Sequence, residues 1–287
     1  MRMRLSNYAI VFLLIASAAT SYAEEVHTRL ANNIIVSAQY LPGTAQKQAV
    51  LVLHGFMTTR HFGTVQSIVN ELSSNGYTVL APTLSININD RKASVPCDAI
   101  HTSTLQNDVD EIAFWVDWLV SKGHKKITLI GHSMGSLQLV AYASGNPSKH
   151  VTQVIATSLV HTHRYTSSDI IQRELAMANR SREQVPPPVQ SYHFVFCDSF
   201  ISPPEVYLSY MAWSGERVVK ALRSAKVPVE IVMGEKDRRF GPDWVRMLND
   251  SGSKVTVIKG ASHFFDATHE FDLLDSILTT LAEGSPS

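Results

Sequence analysis

The chain has 287 residues, 45% of them hydrophobic, which is enough to bury one sizeable core and fits a single α/β domain. Charged residues make up 17%, and 25 lysines and arginines balance 25 aspartates and glutamates. With no basic stripe and no run of like charge, the sequence excludes a nucleic-acid binder and a charged interaction tail.

The N-terminus reads as a processing segment. Arg2 and Arg4 precede an apolar stretch over residues 9–19, broken by Ser17, and Ser21-Tyr22-Ala23 supplies a small-x-small cleavage pattern before Glu24. This is the layout of a secretory signal peptide, and the run falls short of the about 20 apolar residues that a membrane span needs. Residues 1–23 are therefore predicted to be removed, leaving a secreted or periplasmic chain with no stable membrane insertion. In an oxidising compartment the two cysteines, Cys97 and Cys197, are a disulfide candidate, with two separate buried thiols as the alternative. A bridge closing a loop of about 100 residues removes unfolded-state entropy worth up to ~4.7 kcal/mol in the chain-entropy view.

From residue 48 onward, short apolar strands alternate with longer helical patterns. Residues 48–53 form a β-favouring run ending at His54-Gly55. Residues 64–74 place Val65, Ile68, Val69 and Leu72 at helical spacing, and Asn75-Gly76 stops them. Residues 77–81 read as a strand closed by Pro82. Residues 105–120 put Val109, Ile112, Ala113, Val116 and Leu119 on one helical face. A strand over 126–130 leads to a helix over 134–144, ended by Gly145-Asn146-Pro147, and another strand covers 151–160. Such alternation implies right-handed crossovers and a mainly parallel sheet covered on both faces.

The alternation breaks over 162–225, where helical patterns near 168–180 and 204–225 flank Pro186-Pro187-Pro188 and an aromatic stretch with Tyr192, Phe194, Phe196 and Phe200. This segment is predicted to be an insertion on the sheet. Strands over 227–233 and 254–258 and helices over 243–248 and 270–281 complete the chain.

The strongest local signal is Gly131-His132-Ser133-Met134-Gly135, a G-x-S-x-G between a predicted strand and a predicted helix. That context makes a nucleophile elbow: the sharp turn holds the serine hydroxyl at the carboxyl edge of the sheet, and flanking side chains would clash there. A serine hydroxyl needs a base, and the base needs an orienting acid, in the chain order Ser, Asp, His. Asp237 in Gly-Glu-Lys-Asp and His263 in Ala-Ser-His-Phe each fall just past a strand end, where open α/β sheets place their working groups. Glu235 and Asp266 are the alternative acids. His161 and His163 are spaced to share one face of a strand and could bind a metal, although a surface or pocket role fits them better, and no metal site is predicted. The oxyanion donors are expected from the backbone N–H of Met134, which follows the nucleophile, and of Phe56, in the loop after the first core strand.

The order L-H-G-F, G-H-S-M-G, G-E-K-D and A-S-H-F resembles the α/β-hydrolase family over about residues 45–283, with an elbow similar to that of monoacylglycerol lipases and related esterases. The resemblance implies an eight-stranded, mainly parallel sheet with a helical cap inserted after the sixth strand. It departs from the esterases of that group in the loop after Pro82, which reads Thr83-Leu84-Ser85-Ile86-Asn87-Ile88-Asn89 and leads to Cys97. The functions to weigh are an ester hydrolase acting on a small-molecule ester or acyl substrate, a peptidase or amidase with the same three residues, and a non-catalytic binding protein on the same scaffold. No cofactor is implied, since no G-x-G-x-x-G follows a strand and no phosphate loop occurs.

Overall fold

The computed structural model describes residues 23–266 and 268–284, so the predicted signal peptide, Ala23 apart, lies outside the described residues. The strands are β1 (Glu24–Arg29), β2 (Ile35–Leu41), β3 (Ala49–Leu53), β4 (Thr78–Thr83), β5 (Ile127–His132), β6 (Val151–Thr157), β7 (Gln190–Phe194), β8 (Cys197–Ser202), β9 (Val229–Gly234) and β10 (Lys254–Ile258). The helices are α1 (Gly63–Ser74), α2 (Leu105–Ser121), α3 (Met134–Ser144), α4 (Ser168–Ser181), α5 (Pro204–Met211), α6 (Gly215–Ser224), α7 (Pro242–Asn249) and α8 (His269–Glu283).

Eight strands form one sheet in the order β1-β2-β4-β3-β5-β6-β9-β10. β2 pairs antiparallel with both β1 and β4, and from β4 to β10 every pairing is parallel. The central strand shows why its sequence is a continuous apolar run: Ala49, Leu51 and Leu53 pack into one hydrophobic cluster while Val50 and Val52 pack into another on the opposite face. One face carries α1 and α8 through Val65, Ile68, Leu72, Leu273, Ile277 and Leu281. The other carries α2, α3 and α6. Among the described residues no helix is long and apolar enough to cross a membrane.

Between β6 and β9 the chain leaves the sheet for α4, the hairpin β7-β8, α5 and α6. A disulfide joins Cys97 to Cys197 across 100 residues, tying the segment before α2 to β8.

Several local expectations are corrected. The strand predicted over 77–81 runs through Pro82 to Thr83; its ladder to β3 ends at Leu80, so a residue lacking an N–H interrupts nothing on that side. The helix predicted over 204–225 is two helices, broken at Trp213, with the Ser214 hydroxyl accepting from the Arg217 amide to start the second. The strand predicted over 151–160 stops at Thr157, so His161 and His163 share no strand face: the His161 ring packs on Phe240 and Trp244, and His163 Nε2 bonds the Met211 carbonyl at 2.6 Å. The buried face of α2 is rotated from the expected one and holds Asp108 and Glu111 beside Leu105, Ile112, Trp115, Val116 and Leu119.

Candidate active site

Ser133 stands at the junction of β5 and α3 with φ 58° and ψ −118°, a conformation that lifts its side chain out of both elements. Its own N–H donates to the Thr157 carbonyl at 2.9 Å, and the Ser136 hydroxyl bonds the Gly131 and Thr157 carbonyls at 2.6 and 2.8 Å, so the turn is fastened to β6. A Cβ on Gly135 would lie 2.5 Å from the His54 carbonyl oxygen, where only backbone motion could make room. Gly135→Ala is therefore expected to lower stability by about 3 kcal/mol in urea denaturation. An unchanged midpoint would mean that α3 does not press on the loop after β3 in this way.

His263 follows β10 and Asp237 follows β9. The two loops touch so closely that a Cβ on Gly234 would sit 2.4 Å from the Ser262 carbonyl. The Ser158 hydroxyl holds the His263 carbonyl at 2.6 Å. His263 Nδ1 donates to Asp237 Oδ2 at 2.6 Å, which leaves Nε2 to accept from the Ser133 hydroxyl at 3.0 Å. The other Asp237 oxygen accepts from the Arg239 amide at 3.0 Å. Asp237 and His263 are both buried. The alternative acids lie elsewhere: Glu235 accepts from the Gly260 amide, and Asp266 from the Ser262 hydroxyl, both exposed. His132, behind the elbow, bonds Thr157 Oγ1 through Nδ1, and burial followed by the nearby His263 and Arg239 holds its pKa well below the usual range. It stays neutral next to His263.

Phe56 follows Gly55 in the loop after β3, and Met134 follows Ser133 at the start of α3. A Cβ on Gly55 would be 3.3 Å from Ser133 Cβ, which places the loop after β3 directly against the elbow. Met134 opens α3, so its N–H has no carbonyl one turn back in the helix. The Phe56 N–H enters none of the turn hydrogen bonds among the described residues.

What holds that loop was not visible in the sequence. His54 donates from Nδ1 to the Gly55 carbonyl at 2.9 Å, and its Nε2 accepts from the Leu84 amide at 3.0 Å, which fixes the tautomer. Burial, then the Arg91 charge, pushes its pKa down to about 3, so it does not titrate near neutrality. Arg91 is 5% exposed and clamps backbone carbonyls of Leu84, Thr58 and Ala93 at 2.7, 2.9 and 3.0 Å.

Glu111 accepts from the Ser85 amide and hydroxyl and from Trp115 Nε1, pinning the loop after β4. Burial raises its pKa to about 7, against the hydrogen bonds that favour the charge. Folding thus favours the protonated acid. The burial penalty on the charge is absent below the unfolded carboxylate range and grows as pH rises through that range, until the folded group ionises near 7. Glu111→Gln is expected to gain on the wild type by up to ~3 kcal/mol between about pH 5 and pH 8, read from urea denaturation at the two values. A pH-independent difference would contradict the burial cost.

A sequence profile of the alpha/beta hydrolase family matches residues 50–272, and the chain belongs to that family. Among solved structures it is similar to DcsB in complex with its substrate analogue (14% identity, TM-score 0.71, covering 92% of this chain and 100% of that one). It is similar to Est1E from Butyrivibrio proteoclasticus (16%, TM-score 0.65, 91% and 98%). It is also similar to a monoacylglycerol lipase of Paleococcus ferrophilus (19%, TM-score 0.63, 87% and 99%). At these identities the likeness establishes the fold. No curated protein matches in sequence.

Proposed function

We propose that the chain is an exported serine hydrolase that cleaves a carboxylic ester through an acyl-enzyme. The observation that carries this reading is the continuous relay from Ser133 Oγ to His263 Nε2 at 3.0 Å and from Nδ1 to Asp237 Oδ2 at 2.6 Å. In the first half-reaction Ser133 Oγ adds to the ester carbonyl as His263 Nε2 takes the hydroxyl proton. The carbonyl oxygen becomes an oxyanion facing the Phe56 and Met134 amides, each such donor worth ~3 kcal/mol in the transition state. Asp237 stabilises the imidazolium, which then gives its proton to the leaving alkoxide as the tetrahedral adduct collapses. In the second half-reaction His263 deprotonates a water that attacks the acyl-enzyme, and the proton returns to Ser133 Oγ when the acid departs. His132, held neutral by burial, adds no second positive charge beside the imidazolium.

Residues 162–225 act as the cap in this reading. Phe194, Phe196 and Phe200 of its hairpin surround Phe56 with ring centroids 5.2, 5.3 and 6.4 Å away, an apolar wall over the site. Export is supported by the leader pattern of residues 1–23 and by the Cys97–Cys197 disulfide, which suits an oxidising compartment. The esterase-type elbow and the monoacylglycerol lipase among similar folds favour an ester over an amide. The test is release from an ester and an anilide of the same acyl group by the purified chain. Ester turnover well above anilide turnover is expected. Anilide turnover equal to it would make the protein an amidase, and turnover of neither would make it a binding protein on a hydrolase fold.

A further inference from the structure

Between the loop after β3 and the start of α3 lies a cavity of about 30 Å3 whose lining includes Phe56 and Met134 together with the polar Ser103, Asp108, Gln138 and Tyr210. A cavity of that size has room for one water-sized group, such as a single hydroxyl, and for no acyl chain. Its lining is unusual for an aliphatic pocket because it contains a carboxylate that is 1% exposed. Asp108 Oδ1 accepts from the Ser103 hydroxyl at 2.9 Å, and Oδ2 accepts from Gln138 Nε2 at 2.7 Å and from the Tyr210 hydroxyl.

These bonds settle the polarity of the wall. The Tyr210 hydroxyl hydrogen points at Asp108 and the Ser103 hydroxyl hydrogen at Asp108 or at the Thr104 carbonyl, so what the two oxygens still present is lone pairs. Gln138 has one amide hydrogen committed the same way, and its Oε1 has no protein partner among the described residues. Burial raises the Asp108 pKa to about 6, so at neutral pH it remains mainly the ionised, acceptor-only form. The wall presents acceptors from Ser103, Tyr210 and Gln138 Oε1 together with one donor, the second Gln138 amide hydrogen, so its complement is a hydroxyl, which both donates and accepts.

We infer that the acyl group this enzyme prefers carries a hydroxyl within a few atoms of the carbonyl, read by the polar wall built on Asp108. This deepens the ester-hydrolase reading and rests on it. A site whose buried polar groups are left unpaired discriminates strongly against the analogue that lacks the partner, whereas an apolar pocket gains little from excluding a hydroxyl.

The experiment compares kcat/KM for ethyl butanoate, ethyl 2-hydroxybutanoate, ethyl 3-hydroxybutanoate and ethyl 3-oxobutanoate by pH-stat at neutral pH, with fluorophosphonate labelling of the same protein. The expected result is at least a tenfold preference for one hydroxy ester over butanoate and no such gain for the oxo ester, whose added oxygen can only accept. Asp108→Asn and Tyr210→Phe are each expected to shrink the hydroxyl preference several-fold, with butanoate turnover as the internal reference; Tyr210→Phe keeps the ring and guards against a folding failure in the first variant. Butanoate turned over as fast as both hydroxy esters overturns this inference and leaves the hydrolase reading standing. No ester turnover together with no fluorophosphonate label overturns both.

Discussion

Ser133→Ala is expected to reduce kcat on model esters by a factor on the order of 10⁶, and His263→Ala by nearly as much, because nucleophile and base act as one unit. The double variant should be no worse than either single one. The distances explain this: without Oγ there is nothing for Nε2 to deprotonate, and without the imidazole the hydroxyl keeps its proton. Residual hydrolysis above the water rate should persist, since the Phe56 and Met134 amides remain. Folding is expected to be affected by about 1 kcal/mol or less in Ser133→Ala, because the backbone bond to Thr157 and the turn geometry do not depend on the hydroxyl. Steady-state kinetics beside urea denaturation checks both halves. Multiplicative losses in the double variant would mean that the two residues do not share a step.

Asp237→Asn is the second large expected effect, a fall in kcat on the order of 10⁴ with the fold retained. Both carboxylate oxygens accept: Oδ2 from His263 Nδ1 and Oδ1 from the Arg239 amide. An asparagine offers one acceptor and one donor, so it cannot meet both. If its oxygen stays on the Arg239 amide, its NH₂ faces Nδ1 and forces the proton onto Nε2, where it can no longer accept from Ser133. If its oxygen turns to Nδ1, two N–H groups oppose each other at Arg239. Either outcome lowers kcat far more than KM. A loss appearing in KM alone would show that Asp237 serves substrate binding and does not hold the imidazole.

The residues of the relay were legible because each sits at a strand end marked by glycine: Gly131 and Gly135 around Ser133, Gly234 before Asp237, and Gly260 before His263. Tight turns and close loop crossings leave that mark in sequence. The central strands were legible because burial on both faces demands uninterrupted Val, Ile and Leu. The edge was not. β1 follows directly on the predicted leader, and β1 and β2 have mixed exposure and no apolar run. The hairpin β7-β8 was missed because its turn carries Val195 at φ 54° in place of Gly or Asn, so the usual hairpin signature is absent. Arg91 left no signal at all, being one of two adjacent basic residues, with Lys92, in a polar loop. Asp108 did leave one: it lies three residues after Leu105 and four before Ile112, on the buried stripe of α2. A carboxylate in an apolar stripe marks either a structural network or a binding wall, and the hydroxy-ester comparison separates the two.

The central claim is that the Ser133 hydroxyl is activated by His263. Its most direct test is labelling of the folded protein with a fluorophosphonate, followed by peptide mass mapping. The account predicts one equivalent of label, carried by Ser133, lost in Ser133→Ala and slowed by orders of magnitude in His263→Ala. Label on another residue, or equal labelling rates in wild type and His263→Ala, would contradict it.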